Sequence, residues 1–155
     1  MRQEAEPSAG FLDGRTQVLP VRVYYEDTDF TGVVYHGAYV RFLERGRSDF
    51  LRVAGIRHAE LLARPDPVAF TVVRLEIDFK RPARIDDALQ VRTTYDRTRG
   101  PRLYIGQAIL RGEDLVARAQ VEAACIDLSG RARKPPPEFK DQLSQYFLPE
   151  AGAEA

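Results

Sequence analysis

The segment YYEDTDFTGVVYH, residues 24–36, separates two stretches that have different hydrophobic periods. Before it, apolar and polar residues alternate over Leu19–Tyr25, which is the period of a half-buried strand. After it, apolar residues recur at helical spacing over residues 37–54, and Gly55 then provides the usual helix end. The segment therefore predicts a strand that leads into a long helix, with three acidic residues close to the helix N-terminus.

Strand-like runs follow this helix with no crossover helix between them. Because the last two joints are short, neighbouring strands are expected to pair antiparallel. We therefore predict an α+β fold, in which a five-stranded antiparallel sheet wraps around one long central helix. Gly46, in the apolar stripe, would let the sheet backbone come close, and the open sheet edges would pair in a dimer. The runs are residues 69–80, 88–96, 102–111 and 115–127.

The chain is expected to form a single domain over residues 17–148. The flanking stretches 1–16 and 149–155 consist mainly of small and polar residues and are expected to be disordered. A single cysteine, Cys125, excludes an internal disulfide framework and favours a reducing compartment. No apolar run approaches the roughly 20 residues that span a bilayer. A cytoplasmic location is therefore expected.

The charges of the chain balance, with 23 Lys and Arg residues against 23 Asp and Glu residues. No global field favours nucleic acid or an anionic membrane, so an anionic ligand would need a local basic cluster. No set of His, Cys and carboxylate residues suggests a metal site.

A carboxylate beside a helix N-terminus combines two parts that acyl-transfer chemistry needs. The carboxylate can attack a carbonyl or accept a proton, and the free N–H groups at the helix start can polarise that carbonyl. The alternative is that an Asp in this position only caps the helix or closes a turn.

The motif DTDFTGVVYHGAY at residues 27–39, followed by Phe42, Glu44 and Arg45, resembles hotdog-fold acyl-CoA thioesterases of the 4-hydroxybenzoyl-CoA thioesterase type. The likeness extends through RPARIDD at residues 81–87, and it is greatest to the branch associated with the Tol–Pal cell-envelope system. The resemblance implies hydrolysis of acyl-CoA to a free acid and CoA, with no metal or redox cofactor. It also implies a homodimer that assembles as a dimer of dimers, and it leaves envelope or acyl-carrier-protein partners open.

The resemblance assigns roles to individual residues. Asp29 corresponds to the catalytic carboxylate, acting as nucleophile or as general base, and the backbone N–H of His36 corresponds to the donor that polarises the thioester carbonyl. The His36 side chain as base is the weaker alternative. The acyl pocket is expected near the dimer interface, lined by residues such as Tyr35, Tyr39, Phe50 and Phe70.

The phosphates of CoA require cations. Arg97, Arg99 and Arg102 lie on the predicted hairpin between the middle strands and are expected to bind the nucleotide end, because guanidinium groups suit phosphate geometry. A second candidate cluster consists of Arg131, Arg133 and Lys134.

Two other functions compete with hydrolysis. An acyl-CoA-binding module on the same fold would bind CoA esters without releasing the thiol. A hotdog hydratase would pair a carboxylate with a His five residues later, but here His36 follows Asp29 by seven residues, so this function ranks last.

Overall fold

The structure is a computed structural model, and it describes residues 10–149 of the chain. The described strands are β1 (Phe11–Asp13), β2 (Thr16–Arg22), β3 (Val68–Phe79), β4 (Ala88–Arg99), β5 (Arg102–Arg111) and β6 (Asp114–Asp127). The described helices are α1 (His36–Val53), α2 (His58–Leu62) and α3 (Pro137–Ser144), and a short 3-10 turn occupies Tyr25–Asp27.

The strands form one antiparallel sheet in the order β1-β2-β4-β5-β6-β3. The predicted α+β architecture is confirmed, but the sheet has six strands rather than five. The additional strand is β1, which falls within the segment expected to be disordered. Its signal is the Asp13-Gly14 pair, since Gly14 has a φ of 62° and closes the β1–β2 hairpin. The remainder of that segment, residues 1–9, and residues 150–155 lie outside the described part of the chain.

Helix α1 packs its apolar stripe against the concave face of the sheet. Phe42, Leu43 and Phe50 are fully buried in this layer. The predicted role of Gly46 holds, with one difference. A Cβ atom at Gly46 would lie 2.7 Å from Val91 Cγ1 and 2.8 Å from Thr93 Oγ1, so side-chain atoms of β4, rather than the sheet backbone, make the close approach.

Halfway along β3, the positions that face α1 change from even-numbered to odd-numbered residues. The pairing of β3 with β6 is interrupted between Val72 and Arg74, where Val73 forms a β-bulge. Phe70 faces the core before the bulge, whereas Leu75 and Ile77 pack against the core after it. Because the bulge adds one residue, the even-numbered Phe70 before it and the odd-numbered Leu75 and Ile77 after it all lie on the helix side of the strand.

Helix α1 runs antiparallel to β3, which gives the molecule two distinct ends. At the helix-start end, where α1 begins and β3 finishes, the Tyr39 and Phe79 rings lie 5.5 Å apart. At the hairpin end, where the β4–β5 turn at Gly100 lies near the start of β3, Leu51 and Phe70 line one pocket. The two ends are separated by the length of β3, roughly 36 Å for the steps of about 3.3 Å between its 12 residues. Within residues 10–149, no helix is both long and apolar enough to cross a bilayer.

Candidate active site

The loop between β2 and α1 folds back on itself. The Asp29 N–H donates to the Val33 carbonyl at 2.9 Å, and the Tyr35 N–H donates to the Asp27 carbonyl at 2.9 Å. These bonds place Asp29 at the tip of the loop and the start of α1 at its base.

The Asp29 carboxylate is held by its own loop. Its Oδ1 atom accepts hydrogen bonds from the Thr31 hydroxyl at 2.6 Å and the Thr31 N–H at 2.8 Å, whereas Oδ2 accepts none from the described residues. The hydroxyl bond first, and then the backbone bond, lower the pKa of Asp29 below its ordinary value. The side chain is partly exposed in the single chain. A charged oxygen is thus available to a ligand at neutral pH.

Asp27 has a different role. It is buried, and its Oδ2 atom accepts a hydrogen bond from the Tyr24 N–H at 2.8 Å, which closes the 3-10 turn. This carboxylate therefore supports the loop, and Asp29 is the member of the pair that a ligand can reach.

The N-terminus of α1 begins at His36 without a side-chain cap. The preceding residue, Tyr35, has an extended backbone and makes no side-chain cap hydrogen bond. Among the hydrogen bonds of residues 10–149, none is donated by the His36 N–H. This amide and the helix dipole are available to stabilise developing negative charge. The His36 ring is exposed and lies 4.4 Å from the Tyr35 ring.

A shallow groove of about 310 Å³ borders the helix start and includes His36 and Tyr39. Tyr39 is buried, its hydroxyl accepts a hydrogen bond from the Ala83 N–H at 3.2 Å, and burial raises its pKa. Tyr39 thus anchors the loop after β3 and presents only part of its ring to the groove. The groove also contains Lys80 and Arg81, for which no site role was predicted. The Val116 carbonyl accepts the backbone N–H groups of both residues, at 2.8 and 3.2 Å.

The remaining sequence-predicted site residues lie at the hairpin end. The Arg97 guanidinium stacks over the Tyr104 ring at 4.1 Å, and Arg102 forms an ion pair with Glu122 at 3.4 Å. Arg99 is exposed beside the turn. Within one chain, therefore, the three arginines and Phe70 lie at the hairpin end. Asp29 lies at the opposite, helix-start end.

A basic pocket of about 680 Å³, lined by four cationic and two acidic side chains, lies beside the β4–β5 turn. It joins that turn at Gly100 to the second predicted cluster, through Arg133 and Lys134, whereas Arg131 does not line it. Arg64 and Lys140 also line it and were missed, because their positions in sequence give no sign that they converge here. The buried Arg64 Nε atom has no hydrogen-bond partner among the described residues.

A smaller pocket of about 130 Å³ lies between the second half of α1 and β3, and Phe70 forms part of its wall. Phe50, expected to line the acyl pocket, is instead a core residue whose ring packs against Tyr95 at 4.7 Å and Tyr146 at 5.4 Å. The helix side of the pocket is polar. The α1 residues on that side are three and four positions apart, so they lie on one helix face, and this spacing could have predicted that they form one wall. These polar residues are Glu44, Arg47, Ser48 and, from α2, His58.

Neither the single cysteine nor a metal cluster provides a second site among the described residues. Cys125 is buried, and burial raises the pKa of its thiol to about 11, so it is not activated as a thiolate. Within residues 10–149, no three or more His, Cys, Asp or Glu side chains converge as a metal site.

Comparison with known proteins bears on this site. Residues 23–143 match the model of the thioesterase-like superfamily. The chain is 41% identical over 129 residues to the acyl-CoA thioesterase YbgC of Haemophilus influenzae, covering 83% of this chain and 92% of that protein. It is 43% identical over 109 residues to the acyl-CoA thioester hydrolase YbgC of Escherichia coli, covering 70% of this chain and 80% of the relative. The crystal structure of a probable thioesterase from Bartonella henselae is 42% identical, with a TM-score of 0.76, and the match covers 78% of this chain and 99% of that one.

Proposed function

The chain belongs to the thioesterase-like superfamily, and we propose that it hydrolyses acyl-CoA thioesters to a free carboxylic acid and CoA. The observation that carries the proposal is the ionised, accessible Asp29 carboxylate in the loop that leads into the uncapped start of α1. The acyl-CoA thioesterase activity named for the relatives from Haemophilus influenzae and Escherichia coli supports the substrate class.

The chemistry follows from the charge that a thioester develops. When its carbonyl is attacked, the oxygen becomes negative, and the His36 N–H at the helix start stabilises that oxygen. One well-aimed donor of this kind contributes about 3–4 kcal/mol. The Asp29 carboxylate acts either as the nucleophile, forming an anhydride as the thiolate leaves, or as the general base that takes a proton from the attacking water.

The complete site requires two copies of the chain. Among the described strands, β3 has a neighbour on one side only, and the bulge region of its other edge exposes Val72 and Val73 at 45% and 44% of their surfaces. We expect two β3 strands to pair antiparallel about a two-fold axis, which would cover this edge. The hairpin end of one subunit would then lie beside the helix-start end of its partner.

This arrangement gives CoA a continuous path. The nucleotide phosphates would bind at Arg97, Arg99, Arg102 and the basic pocket of one subunit, and the thioester would reach Asp29 and the His36 N–H of the other. The acyl group would enter the 130 Å³ pocket beside Phe70, near the Tyr35 and Tyr39 rings of the opposite subunit. Further assembly of two dimers into a tetramer is compatible with this path.

The test is thiol release by the purified chain from a panel of aliphatic and aromatic acyl-CoA and acyl-carrier-protein thioesters. The buried Cys125 thiol should add little to the signal of a chromogenic thiol reagent. We expect release of CoA together with saturable binding of the ester. Binding by calorimetry without any thiol release would instead identify a non-hydrolytic acyl-CoA-binding module.

A further inference from the structure

Arg47 projects from α1 into the 130 Å³ pocket, whose other walls are largely apolar. Burial lowers the pKa of Arg47, because removing the guanidinium from water disfavours its charge. Within residues 10–149, Arg47 forms no salt bridge, and its one side-chain hydrogen bond runs from Nη1 to Gln107 Oε1 at 3.1 Å. Most of its five N–H donors are therefore free to bind a ligand.

The guanidinium is held in place by neutral groups. Gln107 is buried, and its amide nitrogen donates to the Leu43 carbonyl at 2.8 Å and to the Thr93 hydroxyl at 2.9 Å. Its amide oxygen is thereby turned toward Arg47. The Tyr95 hydroxyl donates to the Arg47 carbonyl at 3.0 Å, which fixes the helix backbone at the same point. This support orients a cation without neutralising it.

Glu44 is the acidic residue that lines this pocket, and within residues 10–149 it forms no salt bridge with Arg47. Glu44 lies one helical turn earlier and is exposed, and its Oε1 atom accepts a hydrogen bond from the Ser48 hydroxyl at 2.8 Å. Ser48 in turn lies 3.3 Å from His58 Nε2. Glu44 and His58 are exposed at this pocket, whereas Arg47 is partly buried.

We propose that Arg47 is a specificity-determining residue that binds a carboxylate at the far end of the acyl group. A planar guanidinium with free donors matches the two oxygens of a carboxylate, and the surrounding apolar wall strengthens the attraction. A cavity of about 150 Å³ holds one benzene ring, so this pocket suits an acyl tail of about five non-hydrogen atoms. The substrate class is therefore a short dicarboxylic acyl-CoA, of which succinyl-CoA is the simplest probe. This inference rests on the proposed function, because it assumes that the pocket receives the acyl group.

The test compares two esters of nearly equal shape. In 4-methylpentanoyl-CoA, two methyl groups replace the carboxylate oxygens of succinyl-CoA. Dissociation constants are measured by calorimetry on the Asp29→Asn protein, in which hydrolysis is suppressed. We expect succinyl-CoA to bind more tightly by about tenfold or more. Equal affinities for the two esters would overturn the inference, and this arm requires no change at Arg47.

The second arm adds substitutions in the same background. Arg47→Gln should abolish the preference, Arg47→Lys should retain part of it, and Arg52→Gln, at an exposed arginine of the same helix, should leave it unchanged. A preference that survives Arg47→Gln in a folded protein would also contradict the inference.

Turnover by the unsubstituted chain separates the two proposals. Thiol release without an Arg47-dependent preference defeats only the inference, whereas an Arg47-dependent preference without thiol release defeats only the hydrolase.

Discussion

Asp27 and Asp29 are two residues apart, yet their carboxylates meet different surroundings. Asp27 is buried and closes a turn, whereas within residues 10–149 Asp29 accepts side-chain hydrogen bonds from Thr31 alone, through one of its two oxygens. The backbone of the loop thus assigns one acid to structure and leaves the other for chemistry.

The hydrogen bond from the Thr31 hydroxyl should determine the acid limb of the pH profile. This bond favours the charged carboxylate and lowers the pKa of Asp29, so activity should persist to lower pH than an isolated Asp would allow. Thr31→Val keeps the β-branched shape and the backbone N–H but removes the hydroxyl. The pKa of Asp29 should then rise, and the acid limb of kcat/KM should move to higher pH.

The measurement is a pH–rate profile of the Thr31→Val protein beside that of the unsubstituted chain. An acid limb that stays in place, in a variant of unchanged thermal stability, would show that another group controls it.

For single residues, the chemical motif could be predicted from the sequence, whereas the residues that line the acyl pocket could not. Asp29 and His36 were predicted from a resemblance carried by consecutive residues. Nothing in the local sequence singles out Arg47, since its orientation depends on Gln107, which lies 60 residues later. Phe50 was assigned to the pocket because apolar spacing does not distinguish a core residue from a pocket wall.

Among the elements, α1 depends on Gly46 to approach the sheet. The side chains nearest to a Cβ atom at this position, Val91 and Thr93, are β-branched and have little freedom to move away. The short distance between α1 and β4 is therefore set by the absence of a side chain.

Gly46→Ala should destabilise the protein despite the better helix propensity of alanine. Overpacking costs about 1–3 kcal/mol, and the propensity gain of about 1 kcal/mol offsets part of it. The difference centres on a net loss of about 1 kcal/mol in the free energy of unfolding, measured by urea denaturation. Arg41→Ala, at an exposed position of the same helix, should change it by less than about 0.5 kcal/mol. A Gly46→Ala protein as stable as the original would contradict the close packing.

The types of the main helices and strands were largely predictable from hydrophobic periodicity. The short β1–β2 hairpin and the β-bulge in β3 were not. Helix α1 and the runs that became β3 to β6 have strong periods. The β1–β2 hairpin depends on a three-residue strand, for which a period carries little information. The bulge at Val73 becomes clear only from the register between β3 and β6.

At the level of the whole molecule, the predicted site residues divide between the two ends of the sheet. This division follows from the antiparallel pairing of β2 with β4. The loop that carries Asp29 follows the end of β2, which lies beside the start of β4, whereas Arg99 and Arg102 lie at the other end of β4. Local sequence patterns do not specify which strands pair, so this separation could not be read from them. Two-fold pairing at the β3 edge is the arrangement that would reunite these residues.

Mixing two impaired variants tests this composite site. Asp29→Asn removes the carboxylate, and Arg99→Gln with Arg102→Gln weakens CoA binding at the other end. If each site takes Asp29 from one chain and the arginines from its partner, a mixed dimer contains one intact site. An equal mixture, allowed to exchange subunits, should recover about a quarter of the original kcat/KM. Activity that stays at the level of the separate variants, despite proven exchange, would place both parts in one chain.

In the proposed mechanism, the Asp29 carboxylate carries out thioester hydrolysis. The most direct measurement is kcat for acyl-CoA hydrolysis by Asp29→Asn, compared with Glu26→Gln at an exposed acid in the same loop. Both substitutions remove one negative charge and keep the side-chain size. We predict that kcat falls by about a hundredfold or more in Asp29→Asn, whereas Glu26→Gln retains nearly full activity and both proteins keep their thermal stability. Near-normal turnover by a folded Asp29→Asn protein would contradict the claim.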